Sequence, residues 1–426
     1  MAARPPIAPL LAQLVGESSP VLLTAFDGSV AGARDGVARV HVADRRALNA
    51  VATSPNSLGL ARAYVAGWLE VHGNVHDALA ALTVQAGHVT WSQRLQVLRE
   101  LGLDVLRPVP PPPEEVRPGL WWGLRHSLTR DSRAISHHYD VSNRFYGWVL
   151  GPTMAYTCAV YPHEDATLEE AQEEKVDLVC RKLDLQPGQR LLDVGCGWGT
   201  MVCHAATHYG VSVVGVTLSR QQAEWGQKRI AELGLTDRAE IRWSDYRQVT
   251  ETGFDAVSSI GLTEHIGLRR LPAYASFLRD KLRPQGRLLN HCITRPTTAQ
   301  PVRTRGFINR YVFPDGELEA VGVVISILQD AGLEVRHEEN FREHYARTLA
   351  AWSANLDAHW DEAVAEVGAN RARVWRLYLA GSQLGFERQD IELHQVLAVR
   401  TEDGVAGMPL RLSFSPRGAL LPDAAG

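Results

Sequence analysis

The chain lacks an excess of positive charge. Its 426 residues include 44 Lys and Arg against 48 Asp and Glu, which gives a net charge of -4 at pH 7. A protein that binds nucleic acid mainly through its charge carries a basic surplus. We therefore expect no nucleic-acid partner.

Cysteine is scarce and irregularly spaced. The five cysteines are odd in number, stand in apolar surroundings and form no C-x-x-C pair: Cys158, Cys180, Cys196, Cys203 and Cys292. This pattern predicts neither a disulfide framework nor a metal site, and it fits a reducing cytoplasm.

Long apolar runs are also missing. A helix needs about 20 mostly apolar residues to cross a bilayer, and no segment approaches that length. The first residues, MAARPPIAPLLAQLVG, are interrupted by prolines, which argues against a membrane anchor. We expect a cytoplasmic protein whose membrane contact is peripheral, at the inner face of the cell membrane.

Proline is concentrated in one segment, and that segment divides the chain. A chain of 426 residues exceeds what one ordinary hydrophobic core organises, so two domains are expected. Residues 107–119, RPVPPPPEEVRPG, favour an extended spacer. The predicted domains are therefore residues 1–118 and 119–426.

The first predicted domain has an α+β pattern. Strands are predicted in PVLLTAF and VARVHVA, and helices in SLGLARAYVAGWLEVHG and VHDALAALTVQAG. The second domain alternates β-branched runs with amphipathic segments, from RLLDV through VSVVGVTL, AEIRWS and FDAVSSIG to RLLNHCI, LEVRHEENF and IELHQVLAVRT. This pattern predicts a Rossmann-like α/β fold with a mostly parallel seven-stranded sheet and helices on both faces.

A glycine-rich turn follows the first strand of that sheet. In LLDVGCGWGT the strand ends at Asp193, and glycines 195, 197 and 199 open a helix. Three glycines alone are compatible with tight packing or with a dinucleotide site. The preceding Asp193, the G-x-G-x-G spacing and the strand order resemble motif I of class I methyltransferases, which bind S-adenosylmethionine.

The next two strand ends offer further cofactor contacts. Thr217 and Leu218 end the second strand, where related proteins often carry an acidic residue for the ribose. Gln222 is a candidate substitute ribose ligand and also a candidate partner of Ser219 in an S-x-x-Q capping box, and the two roles are compatible. Asp245 and Tyr246 follow the third strand, where they meet an adenine or lie in a solvated loop.

Polar side chains also end the fourth and fifth strands. SIGLTEHIG brings Glu264 and His265 to the carboxyl edge of the sheet, and NHCIT brings His291 to the neighbouring position. A carboxylate beside an imidazole is often only a surface pair. Two adjoining strand ends that both present histidine to one crevice instead indicate a proton-handling site.

Several motifs in order resemble the cyclopropane-fatty-acyl-phospholipid synthase family. They are SHHYDVSNRFYGWVL, MAYTCAVY, LLDVGCGWG, VVGVTLSRQQ, EHIG, NRYVFPDG and HYARTLAAW. The segment AYVAGWLEV resembles the N-terminal domain of the phospholipid-acting members. The resemblance implies a fatty acyl phospholipid C-methyltransferase, a homodimer, and a peripheral membrane protein.

The resemblance also implies two sets of site residues. The S-adenosylmethionine site would comprise Tyr156, Thr157, Gly195, Gly197, Thr217, Leu218, Gln222, Asp245 and Tyr246. The bicarbonate site would comprise Cys158, Glu264, His291, Ile293 and Tyr345. Methyl transfer to an alkene carbon leaves a carbocation, and bicarbonate would serve as the base that removes a proton.

Two positions depart from the usual pattern of that family. Thr263 stands where an aromatic residue is common, and Thr294 where glycine is common. The chain thus resembles the subgroup that forms 10-methylene stearoyl lipid in the tuberculostearic acid pathway, where a separate flavin- or nicotinamide-dependent reductase would act next. A cyclopropane product, a small polar acceptor and a non-enzymatic lipid-binding module are the alternatives.

Residues 119–150 combine tryptophan with arginine, which is typical of a membrane-surface segment. The residues concerned are Trp121, Trp122, Leu124, Arg125, Arg130, Arg133, Arg144 and Trp148. A helical cover over the active site is the alternative interpretation.

Overall fold

The structure is a computed structural model that describes residues 5–16, 19–86, 90–116, 141–299 and 306–415. The chain forms two compact units. The first comprises Met1–Gly119, Arg303–Pro314 and Trp352–Gly385, and the second comprises Leu120–Val302, Asp315–Ala351 and Phe386–Gly426. The division into folding domains at residue 118 stays a prediction, because compactness alone does not show which segments fold independently.

The strands are β1 Val21–Ala25, β2 Val30–Gly32, β3 Ala38–Val42, β4 Leu69–Gly73, β5 Arg190–Val194, β6 Ser212–Thr217, β7 Ala239–Trp243, β8 Phe254–Ile260, β9 Leu282–Thr294, β10 Glu334–Asn340 and β11 Glu392–Val399. The helices are α1 Ile7–Val15, α2 Arg46–Thr53, α3 Ser57–Val65, α4 Val75–Ala86, α5 Trp91–Leu101, α6 Asn143–Leu150, α7 Leu168–Leu183, α8 Thr200–Tyr209, α9 Arg220–Glu232, α10 Thr263–Ile266, α11 Leu271–Lys281, α12 Phe307–Tyr311, α13 Val321–Asp330, α14 Arg342–Ala358, α15 Trp360–Val367 and α16 Ala369–Glu387.

The first unit contains a four-stranded sheet in the order β2-β1-β3-β4. Strands β1 and β3 run parallel, and the other two pairings are antiparallel. The strands β1 and β3 alternate buried with less buried residues, because successive side chains point to opposite faces. The buried face packs against apolar residues of α1.

The single helix predicted over residues 57–73 is wrong in its second half. Helix α3 ends at Val65, and Gly67 adopts a φ of +71°, a left-handed conformation that closes helices. Residues 69–73 then form β4, which pairs antiparallel with β3. The alternation of Leu69 and Val71 with polar neighbours was the strand pattern within that segment.

The second unit is built on a seven-stranded sheet in the order β10-β11-β9-β8-β5-β6-β7. Strands β9, β8, β5, β6 and β7 run parallel to one another. Strand β11 is antiparallel to β9, and β10 is antiparallel to β11. The predicted mostly parallel α/β sheet is therefore confirmed. The strand order reverses at β5, where open α/β sheets form a ligand crevice.

Helices cover both faces of this sheet. One apolar cluster joins the sheet to α7, α8 and α9, and the other joins it to α11 and α13. Helix α7 begins with a capping box in which Thr167 and Glu170 bond each other's backbone N–H groups. None of the helices in the described part of the chain is long and apolar enough to cross a bilayer.

Candidate active site

The glycine turn after β5 leaves space on its outer side. Gly195, Gly197 and Gly199 have φ values of +81°, +54° and +84°, which favour glycine. A Cβ on Gly197 would meet no atom within 4 Å, whereas one on Gly199 would lie 2.3 Å from Cδ1 of Ile241. Gly199 thus serves internal packing, and Gly197 leaves open backbone that a ligand can approach.

A cleft opens in front of this turn. Five of the predicted cofactor residues line it: Tyr156, Thr157, Gly195, Gly197 and Gln222. Four others lie at the neighbouring strand ends but do not line the cleft: Thr217, Leu218, Asp245 and Tyr246. The structure therefore brings together about half of the predicted cofactor set.

Gln222 does not form the predicted capping box. Ser219 caps α9 by accepting a hydrogen bond from the backbone N–H of Gln222. The side chain of Gln222, however, accepts a hydrogen bond from the hydroxyl of Thr217 at 2.8 Å. Gln222 lines the cleft, so this bond connects Thr217 to the site through Gln222.

Asp245 has internal partners. Its carboxylate accepts hydrogen bonds from the backbone N–H of Arg247 at 2.9 Å and from the guanidinium of Arg247 at 2.7 Å. The ring of Tyr246 packs edge-on against Tyr274 and Phe277. The carbonyl of Leu218 accepts from the indole of Trp243. These contacts fix the rim of the site.

Lys175 is a cleft residue that the sequence analysis missed. It lies on α7, lines the cleft and donates a hydrogen bond to the hydroxyl of Thr157 at 2.9 Å. Burial lowers the pKa of Lys175 to about 8, while Asp193 opposes that shift. Burial raises the pKa of Asp193 to about 6. The cleft therefore contains a buried cation and a buried acid.

Glu264 is held against β9. Its side chain is buried, and one carboxylate oxygen accepts a hydrogen bond from the backbone N–H of Ile293 at 2.6 Å. The other oxygen, Oε2, has no hydrogen-bond partner among the described residues. Burial raises the pKa of Glu264 to about 7. An acid in this setting is poised to exchange a proton near neutral pH.

His291 lies on β9, two residues before Ile293. It is 1% exposed, and its Nδ1 is 3.2 Å from the amide nitrogen of Gln395. The opposite ring nitrogen, Nε2, is buried without a partner among the described residues. Burial lowers the pKa of His291 well below its usual value, and the cations of Lys175 and Lys182 add to that effect.

Cys158 and Tyr345 share a neighbour. The thiol of Cys158 is 3.8 Å from the carbonyl of Phe341, which also accepts from the backbone N–H of Tyr345. Phe341 bonds the carbonyl of Leu393, and Leu393 is the register partner of Ile293. These contacts connect Cys158 and Tyr345 through Phe341 and Leu393 to Ile293, so both residues lie at the sheet edge where Ile293 lies. Burial raises the pKa of Cys158, which keeps it a thiol.

The cleft and the polar pair are adjacent. Ile260 lines the cleft and is the register partner of His291 on the neighbouring strand. The next residue, Gly261, also lines the cleft and donates its backbone N–H to the carbonyl of His291 at 2.8 Å. A molecule in the cleft therefore sits beside the strand that carries His291.

The residues present fit a small ion with both donor and acceptor groups. Glu264 offers an unpaired acceptor oxygen and His291 an unpaired ring nitrogen, both buried. An unpaired buried polar atom costs about 1–3 kcal/mol, so a water, ion or ligand that pairs with it is favoured. The open space at Gly197 fits a ligand that approaches the backbone of the glycine turn.

Six residues predicted for a membrane-surface segment, Trp121, Trp122, Leu124, Arg125, Arg130 and Arg133, lie outside the described residues. Arg144 and Trp148 are described, and they lie one turn apart on α6. The guanidinium of Arg144 stacks 5.2 Å from the ring centre of Trp148.

The reversed strand order at β5, the glycine turn and the cleft define a class I S-adenosylmethionine-dependent methyltransferase. The chain belongs to the mycolic acid cyclopropane synthetase family, whose model matches residues 126–396. The predicted family resemblance is therefore confirmed.

Known proteins agree with that assignment. The chain is 52% identical over 409 residues to a probable fatty acid methyltransferase of Mycobacterium tuberculosis, which covers 93% of this chain and 95% of that protein. A cyclopropane synthase structure from Mycobacterium tuberculosis matches with a TM-score of 0.61 and 34% identity, over 64% of this chain and 99% of that chain. A mycolic acid cyclopropane synthase in complex with S-adenosylhomocysteine (SAH) and CTAB matches with a TM-score of 0.59 and 33% identity, over 63% of this chain and 98% of that chain.

Proposed function

We propose that the enzyme transfers a methyl group from S-adenosylmethionine to the double bond of an oleoyl chain on a phospholipid. We further propose that proton loss, assisted by bicarbonate, leaves a 10-methylene stearoyl lipid. The name of the relative that is 52% identical, a probable fatty acid methyltransferase, supports a fatty acyl substrate. A cyclopropane product is the second candidate, and it is supported by the neighbouring structure of a cyclopropane synthase.

One observation carries the proposal. A buried carboxylate and a buried imidazole, each with one unpaired polar atom, lie on and beside the strand next to the cofactor cleft. When the methyl acceptor is an oxygen or nitrogen atom, water readily takes the proton that is lost. A methylated alkene is instead a carbocation that water would attack, so it needs a base in a site without water. The pair supplies the means to hold that base where water is excluded.

The cofactor supplies an electrophilic methyl group on its sulfonium. The open backbone at Gly197 would admit it, and the amide of Gln222, oriented by Thr217, would bond its ribose. Lys175 would pair with its carboxylate, since a buried ammonium is the cation that lines the cleft beside Thr157. These residues would hold the donor in place for the acyl chain.

Bicarbonate would supply a base that accepts a proton from the methylated chain. Glu264 would bond it through Oε2, and His291 through Nε2, since these are the two unpaired buried atoms. Tyr345 and Cys158, which both contact the carbonyl of Phe341, would complete the surroundings. The backbone N–H of Ile293 donates to Glu264 and would hold that side chain in place. If Glu264 moved when bicarbonate binds, the same N–H would donate to the ion.

The remaining partners belong to the same proposal. A phospholipid substrate requires contact with a membrane surface, and Arg144 stacked on Trp148 is the described part of the segment proposed for it. Residues 1–118 would form the lipid-binding-type domain and its linker, and the enzyme would act as a homodimer. A separate flavin- or nicotinamide-dependent reductase would then saturate the methylene group.

The test uses purified enzyme, S-adenosylmethionine and vesicles of dioleoyl phosphatidylglycerol, with distearoyl vesicles as the matched control. Gas chromatography with mass spectrometry of the released chains should show one added carbon in oleoyl chains and none in stearoyl chains. SAH release with small polar acceptors but no change in the oleoyl chains would reject the proposal. Flotation with neutral and anionic vesicles tests the membrane contact, which should weaken with added salt.

A further inference from the structure

A row of buried polar side chains lies behind His291. Gln395 on β11 is the direct cross-strand partner of His291, and both side chains face α7. Lys182 on α7 donates a hydrogen bond to Oε1 of Gln395 at 2.7 Å. All three residues are almost completely buried. Such a row has to satisfy every donor and acceptor internally.

Lys182 is held in place from several sides. Its ammonium pairs with the carboxylate of Glu339 at 2.6 Å. It also lies 5.1 Å from the ring centre of Phe341 and 5.7 Å from that of Phe414. An ammonium carries only donors, so the atom that faces it on Gln395 must be the carbonyl oxygen. A reversed amide would place two sets of N–H donors against each other.

The direction of this amide determines the histidine ring. With Oε1 on Lys182, the amide nitrogen of Gln395 faces Nδ1 of His291 as a donor. Nδ1 must then be the unprotonated acceptor, and the single proton of the neutral ring lies on Nε2. The charged groups nearest to this ring, Lys175 and Lys182, are cations and oppose a second proton.

We propose that Lys182 and Gln395 hold His291 as the neutral tautomer protonated at Nε2, so that His291 donates a hydrogen bond to the reaction's base and is not itself that base. This inference rests on the proposed function, and it gives different roles to the two buried atoms without partners among the described residues, Nε2 of His291 and Oε2 of Glu264. His291 Nε2 offers a donor, and Glu264 Oε2 offers an acceptor. Bicarbonate has acceptor oxygens and one O–H, so it matches this pair. Gln395 and Lys182 are positioning residues.

The experiment measures the tautomer directly. Enzyme labelled with 15N in histidine gives ring-nitrogen signals, and the His291 signals are those missing from a His291→Asn variant. The wild-type signals should show Nδ1 unprotonated and Nε2 protonated. Gln395→Glu keeps the shape but can only accept, so the proton should move to Nδ1 or the ring should become charged. Lys182→Met frees the amide to reverse, which should give mixed tautomers.

Activity and binding are measured on the same variants. Methylation of oleoyl chains by Gln395→Glu should fall roughly 10- to 100-fold, the size of effect seen when a side chain that orients a metal-binding histidine is removed, while SAH affinity stays within about twofold. A wild-type His291 protonated at Nδ1, or an unchanged pattern in both variants, would overturn the inference. If the tautomer is as stated but oleoyl chains are unchanged, the proposed function fails, and only the positioning of His291 by Gln395 and Lys182 stands.

Discussion

The carboxylate of Glu264 bonds the backbone N–H of Ile293 through Oε1, at 2.6 Å, and leaves Oε2 unpaired in a buried position. One oxygen thus anchors the side chain to β9, and the other remains available to a ligand. The position of the side chain therefore depends on Oε1, and its chemistry depends on Oε2. A substitution that preserves the first bond and removes the charge tests the chemistry alone.

We expect Glu264→Gln to bind SAH normally and to turn over poorly. The amide oxygen can still accept from Ile293, but the group loses the charge that orients a base. The loss should be roughly 100-fold or more, the size of a general acid–base contribution. Calorimetry gives the SAH affinity, and a radiolabelled methyl-transfer assay gives the turnover. Glu317→Gln is the matched control, because Glu317 is partly buried and its carboxylate also accepts a hydrogen bond from a backbone N–H, that of Leu268. Near-normal turnover of the Glu264 variant would remove Glu264 from the mechanism.

The same substitution should change how stability depends on pH. Burial raises the pKa of Glu264 from 4.5 in the unfolded chain to about 7 in the fold. The protonated form is favoured in the fold, so this residue's contribution is full below pH 4.5 and is lost as the pH rises through 7. Glu264→Gln should therefore gain stability relative to wild type, by about 1–3 kcal/mol at pH 8.

Urea unfolding of both proteins at pH 5, 6, 7 and 8 measures that difference. The gap between variant and wild type should be small at pH 5 and should widen toward pH 8. A gap that does not vary with pH would show that the carboxyl group titrates normally in the fold.

Gly197→Val should abolish SAH binding. A Cβ at this position would meet no protein atom, so the space it enters is the cleft itself. The φ of +54° also strains a β-branched residue, and strain alone must be separated from obstruction. Gly234→Val is the matched control, because Gly234 has a φ of +69° and open space but does not line the cleft. Unchanged calorimetric affinity in a folded Gly197→Val protein would contradict the cofactor assignment.

The affinity for SAH should fall as the pH rises through 8. Burial lowers the pKa of Lys175 to about 8, so its ammonium is present below that pH and is lost above it. Without the cation, the carboxylate of SAH loses a charge-assisted bond, and affinity should fall roughly tenfold. Lys175→Gln should bind weakly at every pH and show no such decline. Lys228→Gln, whose side chain is 79% exposed, should behave as wild type. Equal pH profiles for wild type and Lys175→Gln would exclude this role.

Local patterns predicted much of the second unit. Strand alternation, the glycine spacing at 195–199 and the polar residues that end β8 and β9 are all written within short stretches of chain. Adjacent parallel strands then bring Glu264 and His291 to one edge, since their carboxyl ends coincide. Sequence therefore located the centre of the candidate site.

The supporting residues depend on tertiary packing and were missed. Lys175 and Lys182 lie seven residues apart on α7, on the face that also carries Val179. A charged residue on an apolar helix face is the signal that could have identified them. Gln395 interrupts the apolar strand β11 in the same way. Their partners come from other elements, and no spacing within one segment specifies those contacts.

The hydroxyl groups of Thr263 and Thr294 bond residues other than Glu264 and His291. Thr263 donates a hydrogen bond to Asn290 at 2.6 Å, and Thr294 bonds Nδ1 of His394 at 2.7 Å. Asn290 and Thr294 alternate with His291 and Ile293 along β9, so they face the other side of the sheet. Thr263 precedes Glu264 on α10 and can influence the base through that neighbour, whereas Thr294 lies on β9 and acts through the backbone of that strand.

We expect the oleoyl product to be the 10-methylene chain. Ring closure and methylene formation begin with the same methyl transfer and end with proton loss from the added methyl group. They differ in whether hydride moves before the base acts, and we expect Thr263 and Thr294 to displace or slow the base enough for that shift to occur. With oleate deuterated at both alkene carbons, mass spectrometry should find an exocyclic methylene and both deuterium atoms on carbon 9. A ring with one deuterium on each carbon would assign the chain to cyclopropane formation, and a methylene without deuterium transfer would require another deprotonation route.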